Sequence, residues 1–328
     1  MEKIAMIVGR QFLYWPALLL AAGAVCGILL FLGLWLGEDE EPTAGLLAVP
    51  LALGLSLVLS RLTHWYCRTS SYASFRAAMT DYSTGGFALM GAFLGCLLAA
   101  GLLRLLRVQK HTAKMLDCMS LAGCLAIAVG RLGSLFQASD RGWPLPQSVG
   151  LPWAWPVTNA VTGQTENRLA TFLLQAMAAA VLLCLLLILR SRGRKKGTLR
   201  DGDLCLIFLL CYGASQVVLD STRYDSLFLR SNGFVSAVQI LGAGALLLSG
   251  GVFLARAVRS RGKKWLLLLI PMLALVGAAG YMEYHVQRHG DQAIFAYSLM
   301  SLCLGGYVLC SLAARYLAGR PGKVLSTS

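Results

Sequence analysis

The sequence predicts an all-α fold: a polytopic helical membrane protein. Three observations carry that reading. Of 328 residues, 57% are hydrophobic and 13% are charged, roughly half the charge of an ordinary soluble domain. The apolar residues fall in continuous runs near the ~20 residues needed to cross a bilayer. They do not alternate, so a transmembrane β-barrel is excluded. Lysines and arginines gather in the short segments between the runs, as the positive-inside rule requires. The net charge of +14 is therefore a topology signal. No module with interleaved basic and aromatic residues appears, which argues against nucleic acid as a partner.

Taken in order, the runs predict spans at about 13–36, 45–62, 85–107, 117–137, 169–190, 203–220, 236–257, 265–281 and 295–317. The first apolar stretch begins near Phe12 and is too long for a cleavable signal, so this helix is expected to stay in the mature protein. Arg61 closes the second span. The third carries Gly85, Gly86, Gly91 and Gly95 at close helix-packing spacing. The fourth is interrupted by Arg131, with Gly130 and Gly133 opening room beside it. A charge inside hydrocarbon costs about 3 kcal/mol or more, so Arg131 is expected to meet an ion partner or an anionic ligand. Residues 138–168, rich in Pro, Gly and Trp, read as an irregular cap. In the sixth span Tyr212, Gln216 and Asp220 recur every fourth residue and share one face, which should point into the bundle. Arg223 follows one turn after Asp220, close enough to be neutralised by it.

Loop charge sets the orientation. With the N-terminus outside, the inner segments hold Arg104, Arg107, Lys110 and Lys114, then Arg192, Arg194, Lys195, Lys196 and Arg200, then Arg259, Arg261, Lys263 and Lys264. The expectation is N-out and C-in, with the acidic run Glu38–Glu41 the one inner segment of the wrong sign. Arg61, Arg131 and Arg223 then lie toward the outer half. Guanidinium groups at this depth suit a phosphate headgroup, which they can grip bidentately; an internal ion pair is the competing reading.

Other chemistries find little support. The ten cysteines mostly sit inside apolar runs with no zinc or disulfide spacing. His285 and His289 are four apart but lack a third ligand, so no metal site is expected. His64 is the one histidine near the arginines. Hydrolase, metalloprotease and nucleotide-binding signatures are absent, and no cofactor is expected.

Four features in order carry a resemblance. They are Arg61-Leu62; the third-span glycines from Thr84 through Gly95, with Met90 and Gly91 between; Asp117 leading to Gly130-Arg131, Gly133-Ser134 and on to Gly142; and Tyr212-Gly213 leading to Asp220, Arg223 and Gln239. Over about residues 10–258 this resembles bacterial prolipoprotein diacylglyceryl transferase. The resemblance implies a seven-helix core, residues 1–258, and leaves 259–328 as a two-helix extension. It implies a multi-pass enzyme of the bacterial inner membrane that moves the diacylglyceryl group of phosphatidylglycerol onto the lipobox cysteine of a prolipoprotein.

Carried over residue by residue, Arg131, Asp220 and Tyr212 are the expected catalytic positions. Arg131, Arg61, Arg223, Gly130, Gly142, Ser134 and Gln216 are the expected substrate-binding positions. The chain departs from the family at several of its functional positions. The family's histidine before the third-span Gly-Gly is Met90. Its sixth-span arginine is Gln216 and the glutamate beyond it is Asp220. The asparagine after the signature arginine is Ser134. The glutamate of the fifth-span run falls at Gln175, and a first-span tyrosine at Pro16. Three readings stay open on the sequence: a divergent transferase; a catalytically degenerate paralogue that binds lipid or a protein partner; and a transporter. The absence of internal repeats and broken helices disfavours the last.

Overall fold

A computed structural model describes residues 4–8, 11–38, 40–81, 86–158, 163–229, 232–289 and 292–319. Strands β1 (Ile4–Val8) and β2 (Gln11–Tyr14) form an antiparallel hairpin that leads into helix α1 (Trp15–Leu36). Then come α2 (Pro42–Cys67), the short α3 (Phe75–Thr80), α4 (Leu89–Leu105) and α5 (Thr112–Arg131), which tightens into a 3-10 turn over Leu132–Phe136. Strands β3 (Ala154–Thr158) and β4 (Thr165–Leu169) precede α6 (Thr171–Lys195) and α7 (Asp203–Ser221). A last small hairpin, β5 (Phe228–Leu229) and β6 (Asn232–Ser236), feeds α8 (Ala237–Arg261), followed by α9 (Leu269–His289) and α10 (Ala293–Gly319).

Among the described residues, eight helices are long and apolar enough to cross a membrane, and α4 is a shorter apolar helix. These nine are the nine expected spans. The protein is an all-α, multi-pass membrane protein. Two sequence readings change. Residues expected as an irregular cap contain an ordered hairpin, in which β3 and β4 pair from Ala154 with Leu169 to Thr158 with Thr165. The apolar residues Phe12 to Tyr14 belong to β2 and not to the first helix.

Small residues let the helices approach. Gly213 on α7 and Gly242 on α8 face each other so closely that a Cβ on Gly213 would lie 2.5 Å from the Gly242 carbonyl oxygen. Gly91 and Gly95 press α4 onto the backbone of α2 at Leu59 and Ser56, leaving no space for a side chain. This is packing of the small-residue kind, in which close backbone approach replaces a hydrophobic driving force that lipid does not supply.

One end of the bundle gathers the basic segments, and there the acidic run finds its partners. Glu38 accepts Arg190 Nη2 at 2.5 Å and also Arg194, and Glu40 accepts Lys114 Nζ at 2.7 Å. Two acids of the wrong-sign segment are thus neutralised locally. Asp117, on α5, accepts the backbone N–H groups of Gly202 and Cys205 at 2.8 and 2.7 Å, supplying from another helix the acceptor that the first turn of α7 needs. Gly202 has φ +87° there, a conformation that favours glycine. At the opposite end lie the hairpin β1–β2, the 3-10 turn and the turn after α7. Their junction holds the candidate site.

The last two helices pack on α8 and α7. Asp203, at the start of α7, bridges Arg256 of α8 (2.6 Å) and Arg315 of α10 (2.9 Å). The Tyr307 ring fills the notch over Gly250.

Candidate functional site

The centre of the site is Asp140, a residue the sequence reading did not single out. It follows the 3-10 turn and has φ +58°, an uncommon conformation for a residue other than glycine but one aspartate tolerates. Its Oδ1 lies 2.8 Å from Arg131 Nη1 and 2.7 Å from Arg223 Nη2. Ser134 donates to its Oδ2 at 2.7 Å, and its own backbone N–H donates to Asp225 at 3.0 Å. Burial alone would raise the Asp140 carboxyl; the Arg131 and Arg223 guanidiniums and the Ser134 hydroxyl outweigh it and hold the group well below the usual carboxylate range.

Arg223 is held by carboxylates on every nitrogen. Nε donates to Asp225 at 3.0 Å, Nη1 meets Asp220 at 3.2 Å, and Nη2 meets Asp140 at 2.7 Å and Asp225 at 2.9 Å. Burial opposes its charge, and the three carboxylates raise it above its ordinary value. Asp220 also accepts from the Ser236 hydroxyl, and Ser236 in turn caps α8. Ser236 Oγ accepts Gln239 N–H at 3.1 Å while Gln239 Oε1 accepts Ser236 N–H at 2.9 Å, a reciprocal capping box. One chain of bonds therefore runs from the α8 N-terminus through Asp220 and Arg223 to Asp140 and Arg131.

Arg131 is the less committed of the two guanidiniums. Among the described residues its one ion pair is Nη1 to Asp140, and its side chain keeps 17% exposure. The buried Tyr212 hydroxyl lies beside this guanidinium. Of the two readings left open for Arg131, an ion partner and an anionic ligand, the first is met by Asp140. The glycines beside it do not open a space. Gly133 lies against Pro16, where a Cβ would stand 3.1 Å from the Pro16 Cα, and Gly130 faces Leu20. Both serve the approach of α1.

Arg61 joins a separate cluster. It is buried, donates to the backbone carbonyls of Gly86 (3.0 Å), Ala78 and Asp81, and stacks beside Tyr72 and Phe87 at 5.0 and 5.5 Å. The hydroxyl of Tyr72 hydrogen-bonds His64 Nδ1 at 2.7 Å. Thr84 and Gly85 lie outside the described residues, as does the side chain of His289. Gly142, expected near substrate, fills a tight corner: a Cβ would stand 2.5 Å from Thr171 Oγ1 and 3.1 Å from the Thr222 carbonyl oxygen.

Gln216 does not reach the arginine cluster. It pairs instead with Gln175 of α6, whose Nε2 donates to Gln216 Oε1 at 3.0 Å. Both amides are buried, and Gln175 Oε1 and Gln216 Nε2 are left without partners. The two departures from the family noted in the sequence, at 175 and 216, are thus one coupled neutral pair. Met90, another departure, is buried with Ala88 and Ala237. Arg141 was also passed over. It is 1% exposed, donates Nη2 to the carbonyls of Ser134 and Gln137 at 2.9 Å each, and lies over the Phe172 ring at 4.3 Å. Burial pulls this guanidinium down to about 10 against the raising effect of Asp140, so it stays a cation at neutral pH.

Fold and site together define a multi-pass helical membrane protein with an arginine–carboxylate network at one end of its bundle. The family model for prolipoprotein diacylglyceryl transferase matches residues 3–249. The chain is similar to the phosphatidylglycerol–prolipoprotein diacylglyceryl transferases of Synechococcus elongatus (31% identity, covering 71% of this chain and 81% of that one), Lactococcus lactis subsp. cremoris (26%, 70% and 85%) and Clostridioides difficile (22%, 74% and 91%). It belongs to the prolipoprotein diacylglyceryl transferase family. The match ends within α8 and does not include α9 and α10.

Proposed function

We propose that this chain transfers the diacylglyceryl group of phosphatidylglycerol to the lipobox cysteine of a prolipoprotein. We place it in the inner membrane of a bacterium, with residues 1–258 as the transferase core. The site end of the bundle, free of the basic loops, would face outward, in keeping with loop charge. In the reaction the acceptor thiol loses its proton and the sulfur forms a bond to the glyceryl carbon. The bond from that carbon to the phosphate oxygen breaks, and glycerol phosphate leaves. Negative charge grows on the departing phosphate, so the chemistry asks for fixed donors aimed at it.

The observation that carries this reading is the unequal commitment of the two arginines. Arg223 has every nitrogen on a carboxylate and acts as scaffold. Among the described residues Arg131 is ion-paired to a single carboxylate, Asp140, and its guanidinium is partly exposed, so it can also donate to an anion. The network sets three carboxylates, Asp140, Asp220 and Asp225, against two guanidiniums, so it offers oriented donors and no net attraction. Ser134 and Asp220 hold this geometry, and Tyr212 lines it. Arg61 is assigned the neighbouring rim, where it orders the segment around Gly86.

Complementation tests the reading. The chain is expressed in cells depleted of their own transferase, and a lipoprotein is examined for thioether-linked diacylglyceryl. Modification is expected, and Arg131→Ala should abolish it. A chain present at normal abundance that modifies nothing would overturn the proposal in favour of lipid or partner binding without transfer.

A further inference from the structure

Ser221, the last residue of α7, is gripped from outside the family core. Its hydroxyl donates to both carboxyl oxygens of Glu283 on α9, at 3.0 and 2.8 Å. Tyr297 on α10 donates its hydroxyl to the Ser221 carbonyl at 3.2 Å and stands 3.2 Å from the Ser221 hydroxyl. The Tyr297 ring meets Trp143 edge-on, with centroids 5.4 Å apart. Glu283 is buried and is braced by Gln287 Nε2 at 3.1 Å. A buried carboxylate is costly unless its hydrogen bonds are made, so this contact is specific and not a passive lipid-side packing of two spare helices.

The grip falls one residue from Asp220 and two from Arg223. The turn is held on its other sides as well: Asp220 by Ser236 at the α8 N-cap, and Thr222 by Thr171 of α6 at 3.1 Å. Trp143, under Tyr297, is the residue after Gly142 and three after Asp140. The extension therefore touches both segments that bring Asp140 and Arg223 together.

We propose that Glu283 and Tyr297 are positioning residues for the transfer, and that α9–α10 is a built-in clamp on the α7 end of the site. This rests on the transferase reading above. The clamp acts by fixing the Asp220–Arg223 turn against Asp140, so that Arg131 is presented in one geometry.

The test uses the full chain in nanodiscs containing phosphatidylglycerol, with a prolipoprotein peptide as acceptor. Glu283→Gln and Tyr297→Phe should each lower kcat about tenfold with KM for phosphatidylglycerol within about threefold, the signature of misplaced groups and not of lost ground-state binding. Glu283→Asp should recover part of the rate. Arg315→Ala loosens the same extension at its far end, on Asp203, and should lower Tm while leaving kcat in place. Faster amide exchange over residues 220–226 in the first two variants would confirm that they are folded and locally loosened. The proposal is overturned if both variants keep the wild-type kcat, or if Arg315→Ala lowers kcat as much as they do. A wild-type chain that forms no thioether ends the transferase reading and this inference with it, an outcome distinct from active variants.

Discussion

Asp140 Oδ1 lies 2.8 Å from Arg131 Nη1 and, at the same oxygen, receives Arg223. One carboxylate thus fixes two guanidiniums, one from the end of α5 and one from the turn after α7. Asp140→Asn leaves both cations part-buried with one anchor fewer, and removing one partner of a buried pair costs about 3–5 kcal/mol. A clear drop in Tm in detergent is the expected result, with Asp140→Glu falling between.

The same carboxyl sets a pH dependence. Its folded-state titration lies below the ordinary value of about 3.9, so its stabilisation is complete above about pH 4 and is lost as pH falls through the folded value. The Tm gap between wild type and Asp140→Asn should hold from pH 8 to about pH 5 and close below about pH 4. A gap that widens on acidification would contradict the assignment.

Gly142 has no room for a methyl group beside Thr171 and Thr222. Gly142→Ala should cost about 1–3 kcal/mol by overpacking, read as a lower Tm. A Tm equal to wild type would show that the corner relaxes freely.

The Gln175–Gln216 pair admits a charge-swap test. Gln216→Arg alone places an uncompensated cation in the bundle and should destabilise strongly. Adding Gln175→Glu supplies a carboxylate partner at the position that now hydrogen-bonds Gln216 and should restore stability. A double-mutant cycle should then give a favourable coupling of about 2–3 kcal/mol. Additive effects would mean the two side chains do not act together.

Much of the fold was legible because bilayer thickness fixes span length, and nine apolar runs became nine helices. The family resemblance was legible in the glycine and arginine spacing around residues 130–142. The site was only partly so. Arg131 stood out as a charge inside a span, and Asp220 and Arg223 as charges at a span end, but Asp140 sits in a Pro- and Gly-rich segment with no periodicity to place it. Its one sequence signal was an acid ten or fewer residues from an intramembrane arginine. Nothing in the order of the chain shows that Gln175 and Gln216, in different spans, share a hydrogen bond. Trp143, in the segment read as an irregular cap, meets Tyr297, a pairing across more than a hundred residues that pattern alone does not reveal.

The most direct test of the central claim is product analysis on the purified chain. Phosphatidylglycerol labelled in its headgroup and a prolipoprotein peptide are supplied in nanodiscs, and both products are followed by mass spectrometry. The account expects thioether-linked peptide and glycerol phosphate in equal amounts, with a rate that falls by about 10²–10³ in Arg131→Ala, as for loss of a single anion-stabilising donor, and changes little in Arg315→Ala. Equal rates in the two variants, or release of the headgroup without a modified peptide, would contradict it.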